Sequence, residues 1–207
     1  MAESSKPMTR QRSNPFSLPN LLTYARIAAV PAIVGLLFWS KDESMRWWAL
    51  AFFITAAVTD YFDGYFARAW HQYSAIGRML DPIADKLLVA AALLMLAADE
   101  TIASFSLWAA IIILCREILV SGLREFLAEL RVSVQVTKIA KWKTTAQLVA
   151  IGFLIAGPAG DAILPVGWTR TIGLFLLWVA AALTLYTGWD YFRSGIKHLL
   201  AEDGKEP

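Results

Sequence analysis

Six stretches of the chain are dominated by apolar residues, and most of them turn charged at one end. The first covers residues 21–39 and is interrupted only by Arg26. The second starts near Met45, is apolar through Thr59 and then meets Asp60. The third covers 75–98 and carries Arg78, Asp81, Asp85 and Lys86 in its first half. The fourth begins near Ile102, is apolar to Cys115 and continues through Arg116, Glu117 and Arg124. The fifth follows Lys143 and covers 144–157; the sixth, 171–189, is the cleanest. A membrane-spanning helix needs about 20 mostly apolar residues. Several of these runs reach that length only if the charged segment also lies in the helix. The pattern therefore predicts an all-α integral membrane protein. Its six transmembrane helices surround a polar cavity that faces the cytoplasm, because the charged ends need water rather than lipid.

Punctuation refines the elements. Pro19-Asn20 reads as a helix start, with Asn20 capping the first span. Gly157-Pro158-Ala159-Gly160 reads as an external turn. Residues 1–16 form a polar cytoplasmic tail, 17–200 the six-helix domain and 201–207 a C-terminal tail. The first apolar run lacks a clear small-residue cleavage site, so it reads as a span and not as a removed signal peptide. There is no internal repeat.

Composition narrows the class. Apolar residues make up 57% of the 207, charged ones 17%, and mean hydropathy is +0.51. Soluble domains carry about 25% charged residues. Disorder is excluded over most of the chain, and a soluble globule of this size would lack the charge to cover its surface. Nine Trp, six Tyr and eleven Phe suit interfacial aromatic belts. With 19 basic against 17 acidic residues, the net charge of +2 is too balanced for a general nucleic-acid binder. The single cysteine, Cys115, excludes an internal disulfide and reads as buried apolar filling.

Lys and Arg also orient the spans. They gather in the N-terminal tail (Lys6, Arg10, Arg12), after the second span (Arg68, Arg78), after the fourth (Arg116, Arg124, Arg131, Lys138, Lys141, Lys143) and at the C-terminus (Arg193, Lys197, Lys205). The alternate connections hold only Lys41, Arg46 and Arg170. The positive-inside rule then puts both termini in the cytoplasm, and the absence of other targeting signals fits a bacterial inner membrane. The charged helix ends all fall on the same side.

The chemistry concentrates in Asp60-Tyr-Phe-Asp63-Gly64-Tyr-Phe-Ala67-Arg68, an eight-residue gap, and Gly77-Arg-Met-Leu-Asp81-Pro-Ile-Ala-Asp85. On helices, Asp60 and Asp63 lie about 60° apart, and Asp81 and Asp85 about 40° apart. A short connection makes the two helices antiparallel neighbours, so four carboxylates can converge. One buried Asp in a membrane helix costs about 2.5–3.5 kcal/mol. Four would approach ~10 kcal/mol, comparable to the stability of a whole domain. Arg68, Arg78 and Lys86 cannot neutralise four carboxylates unaided, whereas divalent cations can. All-carboxylate ligation suits Mg²⁺ or Mn²⁺, and four groups suit two ions of the kind that clamp attacking and leaving oxygens in phosphoryl chemistry. Gly64 and Gly77 give either room for a substrate or close helix packing. Asp81-Pro82 also admits a plain helix-start reading, which leaves Asp60, Asp63 and Asp85 unexplained.

This string resembles the signature of the CDP-alcohol phosphotransferase family, D-x2-D-G-x2-A-R-x8-G-x3-D-x3-D, with every fixed position met. The resemblance implies the family's membrane fold and a binuclear metal site beside the pyrophosphate of a CDP-linked lipid. Carried over, Asp60, Asp63 and Asp81 are metal ligands, and Asp85 is both ligand and general base. Arg68 binds the diphosphate, and Gly64, Ala67 and Gly77 make room for cytidine. The resemblance also implies a homodimer.

The acceptor alcohol is read from a second cluster. Arg116 and Arg124 lie two turns apart on the fourth span, and Lys141 and Lys143 open the fifth. Together they form a cationic pocket suited to a phosphate-bearing acceptor. Arg131 and Lys138 read instead as lipid-headgroup contacts. With Asn20, Thr23 and Arg26, which would contribute near the nucleotide, these segments resemble family members that move a phosphatidyl group from CDP-diacylglycerol to sn-glycerol 3-phosphate. Inositol phosphate or phosphatidylglycerol as acceptor remains open, and serine fits the cationic pocket poorly. A cation-coupled transporter is a distant alternative, opposed by the confinement of charge to one half of the spans. A non-catalytic scaffold would make the aspartates dispensable.

Overall fold

The computed structural model describes residues 18–39, 42–70, 75–129 and 138–203. Within these ranges the side chains at 19, 60–70, 75, 78, 129, 138–141, 190 and 194–203 lie outside the description. The described chain is helical: α1 (Leu18–Phe38), α2 (Glu43–Trp70), α3 (Ala75–Ala98), α4 (Leu107–Glu129), α5 (Lys138–Gly160) and α6 (Trp168–Asp203), with a single 3-10 turn at Ser104–Ser106 before α4. No strand occurs among the described residues. The stretches Asn20–Phe38, Ser104–Ala128 and Trp168–Arg193 are each long and apolar enough to cross a membrane.

Two tightly packed groups make up the bundle. Helix α1 lies against α2 and α3, while α5 lies against α6 and α2, and α4 leans mainly on α6. Their shared core includes Ile33, Phe53, Leu93, Leu96, Ile113, Ile151, Leu154 and Leu177, all essentially inaccessible. The outward faces remain apolar, with Leu94, Ile118, Leu119 and Phe175 exposed, as expected where the solvent is lipid. Cys115 corrects the sequence expectation. It is a free, exposed thiol on α4, one residue before buried Arg116, and therefore points away from the core.

Charged ends are helical, as predicted, and for that reason several helices outrun their apolar runs. The segment carrying Asp60 to Arg68 continues α2 without a break to Trp70. Helix α3 has the predicted limits. Because it starts at Ala75, Asp81-Pro82 lies well inside it and cannot be a helix start. Helix α1 begins at Leu18, so Asn20 is a buried interior residue and not its cap.

The Gly157-Pro158 turn is realised as a break in α5. Gly157 adopts φ 45°, ψ −127°, and the connection continues through residues 161–167 to α6. Pro158 has no N–H to give the carbonyl of Leu154, four residues back. Arg46, in the first turn of α2, donates to that carbonyl (3.4 Å) and to Ile155 O (3.2 Å). It also pairs with Asp99 and donates to Thr101 Oγ1 (3.3 Å). Arg46 is thus a buried tie between α2, α3 and α5, not the loop charge its position suggested. A side chain on Gly157 would meet Arg46 Nη1 at 2.5 Å. In the following connection, Gly167 N–H donates to Asp161 Oδ2 (2.8 Å), which holds the Asp161 carboxyl below its ordinary range.

These ties fix which helix ends lie together. The start of α2 meets the ends of α3 and α5 at Arg46. Arg170 at the start of α6 donates to Thr101 O (2.9 Å) and Glu100 O (3.1 Å), just past α3. The start of α3, the start of α5 and the end of α6 therefore share the opposite end of the bundle. That end carries the predicted chemistry.

Candidate active site

Helix α1 brings a polar stripe to the first part of α3. Asn20, Thr23 and Arg26 recur every three residues and are all buried, and the stripe becomes apolar at Ile33 and Leu37. Thr23 Oγ1 donates to Asp81 Oδ1 at 2.5 Å. Arg26 Nη1 donates to Asp85 Oδ1 at 2.6 Å. The Arg26 side chain is 0% exposed and that of Asp85 47%, so the arginine is the structural partner and the carboxylate faces outward. Residues placed by resemblance near the nucleotide thus hold the two α3 carboxylates directly. The four-residue spacing puts Asp81 and Asp85 on one face, and Gly77, one turn earlier, is buried.

The other half of the acidic set lies on the last part of α2. The backbone of Asp60, Asp63, Gly64, Ala67 and Arg68 is helical, and their side chains lie outside the described residues. Among the described residues no three acidic, His or Cys side chains are grouped to hold a metal ion. Asp81 and Asp85 supply hard oxygen donors on adjacent turns, which fits half of a divalent-cation site.

A second cluster forms where α4, α5 and α6 meet at the same end. Arg116 and Lys143 are both buried. Both bond Glu117 Oε1: Arg116 Nη1 at 3.3 Å, and Lys143 Nζ closely. Arg116 Nη2 also donates to Thr187 Oγ1 at 2.9 Å. Arg124, two turns along α4, sets its guanidinium over the Tyr191 ring, 5.5 Å from the centroid. Lys141 is helical in α5 with its side chain outside the description, as is Lys138, and Arg131 lies outside the described residues altogether. Among the described residues, Arg116, Lys143 and Arg124 face the single carboxylate of Glu117, a net positive setting for an anion.

A model of the family described as CDP-alcohol phosphatidyltransferase matches residues 16–186. The chain belongs to the CDP-alcohol phosphatidyltransferase family. It is 41% identical to a protein of Cereibacter sphaeroides over 90% of this chain and 99% of the relative. It is 43% identical to one of Rickettsia bellii over 88% and 97%, and 41% identical to one of Shigella flexneri over 89% and 98%. All three relatives are named CDP-diacylglycerol--glycerol-3-phosphate 3-phosphatidyltransferase.

For a CDP-alcohol phosphatidyltransferase the structure adds partners that sequence reasoning missed. Glu117 is the shared counter-ion of Arg116 and Lys143. Its signal was an acidic residue directly after Arg116 in an otherwise apolar run. Thr187 and Tyr191 were missed because α6 reads as uniformly apolar, and a hydroxyl four residues before a tyrosine carries little weight in such a count.

Proposed function

We propose that the chain catalyses the phosphatidylglycerophosphate synthase reaction. It transfers the phosphatidyl group of CDP-diacylglycerol to sn-glycerol 3-phosphate and releases CMP. What carries this reading is the intact eight-position signature on consecutive helices, in a chain matched along nearly its whole length by relatives bearing that name.

Two divalent cations, Mg²⁺ or Mn²⁺, would be held by Asp60, Asp63, Asp81 and Asp85. Bound there, they would neutralise the phosphate oxygens and the departing CMP. The chain's own groups do the rest. Thr23 and Arg26 fix the Asp81 and Asp85 carboxylates on α3. Arg68 binds the diphosphate, while Gly64, Ala67 and Gly77 leave space for the cytidine. Arg116, Arg124, Lys141 and Lys143 receive the acceptor phosphate. The acceptor hydroxyl gives its proton to Asp85 as its oxygen bonds to the β-phosphorus, and the bond from that phosphorus to the CMP oxygen breaks. Residues 17–200 form one catalytic domain of six spans around a cytoplasm-facing cavity. The protein lies in the bacterial inner membrane with both termini inside, as a homodimer.

Purified protein supplied with Mg²⁺, CDP-diacylglycerol and glycerol 3-phosphate should release CMP, and EDTA should stop it. Asp85→Asn should abolish turnover yet still bind the CDP-lipid. CMP release with inositol phosphate or phosphatidylglycerol, but not with glycerol 3-phosphate, would replace the acceptor. A near-normal rate for Asp85→Asn would remove it as the base.

A further inference from the structure

The family model's match ends at residue 186, and just beyond that limit α6 carries the side chains on which two acceptor-site arginines rest. Thr184, Thr187 and Tyr191 are buried along one face of the helix. The Thr187 hydroxyl donates back to Leu183 O (2.9 Å), so it turns a lone pair to Arg116 Nη2 (2.9 Å). Its role as acceptor is therefore fixed by its own helix. Gly188 provides the adjoining space: a Cβ there would stand 3.1 Å from Arg116 Cγ and 3.3 Å from Nε. The arginine stem lies flat where a side chain would otherwise be. Consistent with that seat, Arg116 Nε faces no acceptor and is buried without a hydrogen-bond partner. One turn after Thr187, the Tyr191 ring carries the Arg124 guanidinium, and its own hydroxyl is buried without a partner.

We propose that Thr187, Gly188 and Tyr191 are positioning residues for the acceptor phosphate, with α6 acting as the seat that aims Arg116 and Arg124. This rests on the reading that those arginines bind that phosphate. A guanidinium is a rigid planar fork, and its value for a phosphate depends on presenting the fork already aligned. Freezing two long side chains before the ligand arrives lowers the entropic cost of binding. The seat uses three different contacts: a hydrogen bond, a missing side chain and a ring face. Each can be removed separately.

The test is steady-state kinetics of the full-length protein in mixed micelles, with KM for glycerol 3-phosphate compared with KM for CDP-diacylglycerol, kcat and thermal unfolding. Thr187→Val should raise the glycerol 3-phosphate KM about tenfold, and Tyr191→Leu about threefold to fivefold. The other constants should stay put. Tyr191→Phe keeps the ring and loses only a hydroxyl without a partner, so it should recover the KM that Tyr191→Leu loses. Gly188→Ala separates positioning from stability. Alanine is a better helix former than glycine, so unfolding should not come earlier, while the displaced Arg116 raises the acceptor KM about threefold.

Arg116→Lys and Arg124→Ala serve as controls. If both leave the acceptor KM unchanged, the phosphate pocket itself is misassigned and the seat loses its purpose. If they raise it while the three α6 variants stay within twofold of the parent, the seat is refuted and the pocket stands. Equal increases for both substrates, accompanied by earlier unfolding, would make α6 merely structural and also overturn the proposal.

Discussion

Glu117→Ala isolates the electrostatics of the Arg116–Lys143 cluster, the proposed acceptor pocket. The carboxylate accepts from both Arg116 and Lys143, whose side chains are only 10% and 7% exposed. Removing one partner of a buried ion pair costs about 3–5 kcal/mol, because the remaining charge keeps its desolvation penalty. The Glu117 side chain is 22% exposed, so water recovers part of that loss and the low end, about 3 kcal/mol, applies. For a chain of this length that corresponds to an unfolding midpoint lower by about 6–12 °C. The loss should be partly reversible by ligand. A phosphate monoester carries about −1.5 to −2 at pH 7 and can supply the counter-charge the variant lacks. A tenfold tighter hold on glycerol 3-phosphate would add about 1.4 kcal/mol of protection over the parent, or about 3–6 °C. Thermal unfolding in detergent, with glycerol 3-phosphate and with plain glycerol, reads both effects. A midpoint unchanged from the parent would refute the buried counter-ion. Equal protection of parent and variant by glycerol 3-phosphate would refute phosphate binding at this cluster.

Three further outcomes follow from the opposite end of the bundle. Arg46→Ala strands Asp99 and the carbonyls of Leu154 and Ile155 together, and should cost about 3–5 kcal/mol in detergent unfolding. Gly157→Ala forces a side chain into a left-handed backbone and onto Arg46, and should cost at least about 1–2 kcal/mol; a neutral result would mean that the kink is not held. Asp161 is the pH-sensitive element of the α5–α6 connection. Its folded carboxyl titrates below the unfolded value of about 3.9, so it stabilises fully above that value and less as pH falls through the folded one. Asp161→Asn should flatten the acid limb of the melting curve below about pH 4, and an unaltered limb would locate that sensitivity elsewhere.

Much of this architecture is legible in the chain itself. The limits of α3 follow from the run and its charged first half, and the signature places Asp81 and Asp85 on one face. Local rules fail where tertiary contacts take over. Asn20 has the chemistry of a cap, but α1 starts earlier because its polar stripe is buried against α3. Cys115 looks like filling, yet beside buried Arg116 the inward face is already taken. Arg46 counts as a loop charge until Pro158, over a hundred residues away, leaves a carbonyl for it to satisfy. The seat on α6 is invisible for a similar reason: its residues are ordinary until the arginines of α4 lie on them.

Helix α3 is fastened to α1 at Asp81 and Asp85 and, one residue past its end, to α2 at Asp99. The Asp85 and Asp99 fastenings stand 14 residues apart, a rod of about 21 Å. Sliding that rod by a single turn, about 5.4 Å, would part both at once. Axial slippage of the Asp81 and Asp85 carboxylates is thereby blocked from two directions.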